Sequence, residues 1–163
     1  MKKVIRAIDY IVTAGGYIAG FLCLLLVAVV VYGVFTRYVL HIASDWIMEV
    51  SQYLFCGISL LGTGYSFMEK SHVTIDVLRI RLSAKTQQYL ELVQYPIVMS
   101  ISFVLIWMGG EEFWRAFVNN YISESVVGLP LWPVWLTIPI GGILLLLAAI
   151  SGCFKFFFKV ETK

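Results

Sequence analysis

"YIVTAGGYIAGFLCLLLVAVVVYGVFT", Tyr10 to Thr36, runs for 27 residues without a charge. A helix needs about 20 mostly apolar residues to cross the roughly 30 Å hydrocarbon layer, so this stretch is long enough to span it. Backbone groups in lipid must be satisfied within their own segment, which a helix achieves. Three further uncharged runs follow, Val50–Met68, Leu92–Gly110 and Ser125–Phe154. The chain of 163 residues is 60% hydrophobic and 13% charged, with a mean hydropathy of +0.87. Too few polar residues remain to coat a soluble domain. The sequence therefore predicts one all-α integral membrane domain, with spans at about 11–36, 46–68, 84–110 and 131–156.

The net charge of +2 is unevenly placed. Lys2, Lys3 and Arg6 precede the first span, and Lys70, Arg79, Arg81 and Lys85 separate the second and third. Lys155, Lys159 and Lys163 follow the fourth. The other two connections hold only Arg37 and Arg115 and are net acidic. By the positive-inside rule both termini and the middle connection are cytoplasmic. Trp46, Trp107, Trp114, Trp132 and Trp135 fall at or near the outer ends, where indoles favour the headgroup layer. The N-terminal run is too long for a cleaved signal peptide and reads as a retained anchor.

Small residues mark places where helices can approach. Gly16 and Gly20 form a small-xxx-small pair in the first span, and Gly62 lies beside Cys56, Ser59, Thr63 and Ser66 in the second. The glycine pair Gly141–Gly142 would admit a close neighbour in the fourth span. Pro130 and Pro133 stand where that helix should begin, and Pro139 lies deeper at a predicted kink. Between spans two and three, "EKSHVTIDVLRIRLSAKTQQ" interleaves apolar residues with His72, Asp76, Arg79 and Arg81. This pattern predicts an interfacial amphipathic helix over about 72–82, with Ser83 capping the next span. His72 and Asp76, four residues apart, suit a local hydrogen bond.

Several kinds of chemistry are missing. The two histidines, His41 and His72, fall on opposite sides of the membrane in this topology, leaving no axial pair for haem. The three cysteines lie inside spans, which argues against a disulfide or thiol relay. No acidic residue sits near the centre of a span to couple protons, and no phosphate loop or activated nucleophile is present. Enzyme, nucleic-acid and metal functions are not expected, nor is a cofactor in this chain.

What polar chemistry remains gathers at helix mouths. Arg37 closes the first span and Glu49 opens the second, with Trp46 three residues earlier. A carboxylate in a first turn meets the positive helix end favourably. Arg37 and Glu49 either pair across the short connection or stay separately solvated at the interface. Glu111, Glu112 and Arg115 make a further charged turn on the same side.

"GVFTRYVL…SDWIMEVSQYLFCGISLLGTGYSFMEKSHVTIDVL", together with "LPLWPVW…IPIGG" around Trp132 and Trp135, resembles the small membrane subunit of tripartite ATP-independent periplasmic (TRAP) transporters. The resemblance covers nearly the whole chain. It implies a bacterial inner-membrane protein without substrate ligands of its own, embedded among membrane lipids. It also implies two partners: a large elevator-type membrane subunit carrying the Na+ and substrate sites, and a periplasmic binding protein that delivers an organic acid. Sialic acids, C4-dicarboxylates and similar carboxylates are open as substrates. The small subunit would brace the large one, with Arg37, Trp46 and Glu49 framing the outer mouth and His72 and Asp76 in the inner segment. Two other readings are an independent four-helix membrane protein, either a small homo-oligomeric transporter or a redox protein, and an assembly factor for another membrane complex.

Overall fold

The computed structural model describes residues 2–42, 45–69, 84–125 and 127–158. The amphipathic segment expected at 72–82, with His72 and Asp76, lies outside them, as does the proposed cap Ser83. Four helices account for most of the rest: α1 Lys2–Tyr38, α2 Trp46–Met68, α3 Ala84–Val118 and α4 Trp132–Phe158. They alternate in direction. Asp9, Phe67, Tyr95 and Lys155 meet at one end of the bundle. The 37–49 and 119–131 connections meet at the other.

Among the described helices, α1, α3 and α4 are long and apolar enough to cross a membrane by length and composition alone. The fourth, α2, has the length, 23 residues or roughly 35 Å at ~1.5 Å per residue. Its apolar character is diluted by Glu49, Ser51, Gln52, Ser59 and Thr63. The fold shelters it on two sides, with α1 against one flank and α4 against the other. Ser51, Ser59 and Thr63 return their hydroxyls to carbonyls within the helix, Ser51 and Ser59 four residues back at 2.7 and 2.9 Å. A hydroxyl satisfied in this way can face lipid without an open donor.

The bundle is built around α4, which packs on all three other helices. About 39% of its apolar window is buried within the chain, against 6% for α1, so α4 is the core and α1 the rim. Glycines set how closely α4 approaches its neighbours. A Cβ on Gly141 would lie 2.7 Å from the Leu60 carbonyl oxygen of α2, and one on Gly64 would lie 2.9 Å from the Leu144 carbonyl of α4. The α2–α4 contact is thus made backbone to backbone at two levels, one glycine from each helix. On the adjoining face, Gly142 sits against Leu105 and Ile106 of α3. The pair Gly141–Gly142 therefore admits two neighbours, one on each side. Of the glycines singled out in the first two spans, Gly16 lies under the ring of Tyr65, Gly62 touches Ala19, and Gly20 meets none of the described residues within 4 Å.

Two helices end in related ways. Ile42 donates its N–H to the Thr36 carbonyl (3.1 Å) and Tyr121 donates to that of Ala116 (3.0 Å). Between each pair a residue turns left-handed, His41 at φ 57° and Asn120 at φ 48°. After α3 this is the Schellman stop, in which six-to-one bonding satisfies a carbonyl the helix end leaves open; after α1 the left-handed residue closes a wider, seven-to-one bond. Both stops reverse the chain sharply and bring the 37–49 and 119–131 connections together.

Candidate functional site

At that end, α1, α2 and the α3–α4 connection line a cavity of about 830 Å³, with Val34, Arg37, Asp45, Met48, Glu49 and Ser125 among its walls. Glu49 stands in the first turn of α2 and is only 4% exposed. Its Oε2 accepts a 2.6 Å hydrogen bond from Ser125 Oγ, the Ser123 hydroxyl and the Leu129 N–H also face the carboxylate, and its Oε1 makes no close hydrogen bond among the described residues. Ser125 belongs to the α3–α4 connection, folded into a small hairpin. Ser123 N–H donates to Leu129 (2.8 Å), Leu131 N–H donates to Tyr121 (2.9 Å), and Gly128 turns with φ 64°. The Ser125 hydroxyl also accepts from the N–H groups of Val127 and Gly128, each at 3.3 Å. A single hydroxyl thus shapes the loop and fastens it to α2. Tyr53, one turn below Glu49, adds a second fastening by donating toward the Leu129 and Pro130 carbonyls at 3.4 and 3.2 Å.

Of the two arrangements open to Arg37 and Glu49, the pair is not formed: the two side chains line the same cavity without an ion pair between them. The carboxylate is covered by the 119–131 loop instead, and Arg37 stays exposed at the rim. Trp46, the first residue of α2, lies beside Tyr32 of α1 with ring centroids 6.1 Å apart. Trp132 opens α4 and meets Phe117 edge-on at 6.1 Å, while Trp135 continues the first turn. Arg115 bonds to both Glu111 and Glu112, a self-contained exposed cluster on α3.

Ser125 and Tyr53 went unread in the sequence. A serine at the start of an apolar run and a tyrosine inside one carry no local signal. Their roles follow from the loop's return across α2. A polar group at the opposite end was also missed. Asp9 Oδ2 meets Lys155 Nζ at 2.9 Å, and Asp9 Oδ1 accepts from Ser151 Oγ at 2.6 Å, joining α1 to α4. A signal for it was available. Asp9 immediately precedes the first uncharged run and Lys155 immediately follows the last, so the topology puts opposite charges at one depth.

Loss of the Tyr53 hydroxyl should loosen the loop. Tyr53→Phe removes one net hydrogen bond, about 1 kcal/mol, and should speed amide exchange across 121–131 roughly fivefold. Ser125→Ala should speed it further, because a covered carboxylate then loses its 2.6 Å donor. Equal exchange in the wild type and both variants would show that the loop is held by other contacts.

Fold and site together define a small multi-pass membrane protein whose described polar groups chiefly satisfy their own helices or tie helix ends together. Its relatives agree. The family described as tripartite ATP-independent periplasmic transporters, DctQ component, matches residues 26–157. The sialic acid TRAP transporter small permease protein SiaQ of Vibrio cholerae is 24% identical over 156 residues, covering 95% of this chain and 84% of that protein. The chain belongs to the DctQ family, the small membrane subunits of TRAP transporters.

Proposed function

We propose that this chain braces the fixed scaffold of a separate, large elevator-type subunit during Na+-coupled uptake of an organic acid delivered by a periplasmic binding protein. The observation that supports this reading most is the distribution of polarity. The bundle is closed by apolar and small residues, with Val12, Ala116, Ala148 and Ala149 at or near zero exposure. Ser102 and Ser151 are also fully buried, and each hydroxyl is used up in a hydrogen bond. Meanwhile α1 leaves a long apolar side uncovered. Tyr10, Tyr17, Leu24, Val31 and Tyr38, at seven-residue intervals, are each more than 60% exposed. A helix with this much free apolar side has room for a membrane partner along its length.

The Lys and Arg distribution supports placing both termini in the cytoplasm and the Glu49 end outward, in a bacterial inner membrane. The sialic acid named for the Vibrio cholerae relative fits the expected substrate class, a carboxylated solute. Site residues for Na+ and substrate would then belong to the large subunit.

The test is paired. A tag on this chain should recover a large permease from detergent-solubilised membranes. Proteoliposomes holding both subunits and the binding protein should take up the organic acid only with a sodium gradient. Omitting this chain should abolish or sharply reduce uptake. Solute flux through this chain reconstituted by itself would favour the independent four-helix transporter and defeat the bracing role.

A further inference from the structure

Two opposite charges line one cavity at the headgroup level and do not meet: Arg37 at the close of α1 and Glu49 at the opening of α2. Glu49 is buried, has one oxygen bonded to Ser125 with the Ser123 hydroxyl and Leu129 N–H on the same loop side, and keeps Oε1 without a close partner among the described residues. A covered polar atom left open is costly, and a carboxylate most of all, unless something donates to it. We propose that this cavity holds the headgroup of a zwitterionic phospholipid with a primary amine, the ammonium on Glu49 and the phosphate on Arg37. The proposal goes beyond the bracing role and stands independently of it.

Three features of the molecule point to a lipid. The first is charge order: a ligand carrying both signs a few ångströms apart fits between an arginine and a carboxylate that do not pair. Arginine suits phosphate through its fork of N–H groups, and an ammonium brings three N–H donors to a carboxylate. The second is depth. Trp46 and Tyr32 flank the same helix ends, as aromatic residues do at the headgroup layer.

The third is the floor of the cavity, which does not close. A second depression of about 480 Å³, lined by Leu26, Met48, Gln52 and Phe55, shares Met48 and Gln52 with the first. From Arg37 to Leu26 is eleven residues of α1, roughly 16 Å at ~1.5 Å per residue. That is about half the ~30 Å hydrocarbon thickness, the depth of a single leaflet. A charged head pocket opening into an apolar crease one leaflet deep has the shape of a phospholipid and one of its acyl chains. A basic side chain from a partner protein would answer Glu49 but would leave Arg37 without an anion and the crease without an occupant.

The experiment is lipid retention. The full chain, purified gently, is exchanged into nanodiscs of equal parts phosphatidylethanolamine, phosphatidylcholine and phosphatidylglycerol. It is then stripped stepwise and weighed by native mass spectrometry. Phosphatidylethanolamine should be retained at least fivefold over phosphatidylcholine, which has no N–H to give, and over phosphatidylglycerol, which has no cation. Glu49→Gln should erase the preference over phosphatidylcholine. Arg37→Met should lower retention of all three lipids by removing the phosphate contact. Glu112→Gln, an exposed change on α3, should alter nothing.

Because Glu49→Gln could unfold the loop, Val34→Trp provides a second arm. It fills the cavity from α1 without touching the carboxylate, and should lose the lipid while keeping the wild-type melting profile. Retention in bulk proportions by the wild type overturns the proposal, as does full retention by a folded Glu49→Gln or Val34→Trp. The same assay on the complex with the large subunit separates the other occupant. If Met48→Cys cross-links to that subunit and no lipid is retained, a protein side chain holds the site and the proposal fails.

Discussion

Gly141→Ala is expected to destabilise the bundle by about 2 kcal/mol, although alanine is the better helix former by roughly 1 kcal/mol in isolation. The sign follows from what the added methyl meets. It would lie 2.7 Å from the Leu60 carbonyl oxygen and 2.9 Å from the Leu60 Cβ, and the first of these is backbone that cannot rotate away. Either α2 and α4 separate, opening the contact all along the crossing, or the Leu60 peptide tilts out of its helix. Gly64 makes the return contact on Leu144, so separation at Gly141 also costs packing at Gly64. The effect should grow with side-chain size, and Gly141→Leu should prevent recovery of a monodisperse subunit. Gly20 provides the matched control, since none of the described residues lies within 4 Å of its Cβ position. Thermal unfolding in mild detergent should place Gly20→Ala at or above wild type and Gly141→Ala well below it. Equal melting of the two would mean that α2 and α4 do not approach as closely as described.

Much of the fold was legible because the membrane makes one demand that a sequence must meet openly. Uncharged runs of membrane length announce helices whatever they pack against, and Tyr10–Thr36 needed no tertiary information to be read. Helix ends were less legible. The run after Arg115 continues as helix to Val118, while the turn that follows depends on Asn120 adopting a left-handed conformation. That residue carries a recognisable preference. His41, which does the same after α1, is a less usual choice for such a stop.

Which glycines join helices was legible only in part, because spacing identifies a small face and not what stands opposite it. Gly16 and Gly20 share a face by sequence, yet only Gly16 is covered, by Tyr65. The site was read halfway. Glu49 drew attention because a carboxylate beside an apolar run needs an explanation, and Arg37 was the nearest cation in sequence. The fold supplies a different donor, Ser125, 76 residues away. Short-range charge matching could not have found it, because a hairpin returning from another helix pair delivers it.

Lys155→Met should harm the subunit more than Asp9→Asn, and the double variant should be less harmful than Lys155→Met alone. The pair joins α1 to α4 at the end carrying both termini, with side chains 20% and 29% exposed for Asp9 and Lys155. Removing one member of a fully buried pair costs about 3–5 kcal/mol; for this partly covered pair about 2 kcal/mol is expected from Lys155→Met. The asymmetry comes from side-chain reach. A stranded lysine can extend its four-carbon stem toward the headgroups and recover solvation. A stranded Asp9 has one methylene and no such route, and Ser151 Oγ, already donating at 2.6 Å, gives it a single donor.

In the double variant neither charge remains, so most of the Lys155→Met penalty should disappear, leaving an interaction energy that a four-arm cycle measures directly. The melting temperatures of wild type, Asp9→Asn, Lys155→Met and the double variant supply that cycle. Additive losses would show that the two charges act independently, each solvated at the interface. Strong coupling would make this contact a charge-matched tie between the first and last helices. α1 would then be held at three levels: by Lys155 and Ser151 near the termini, by Tyr65 over Gly16 farther along, and by Ile47 against Gly33 near the opposite end.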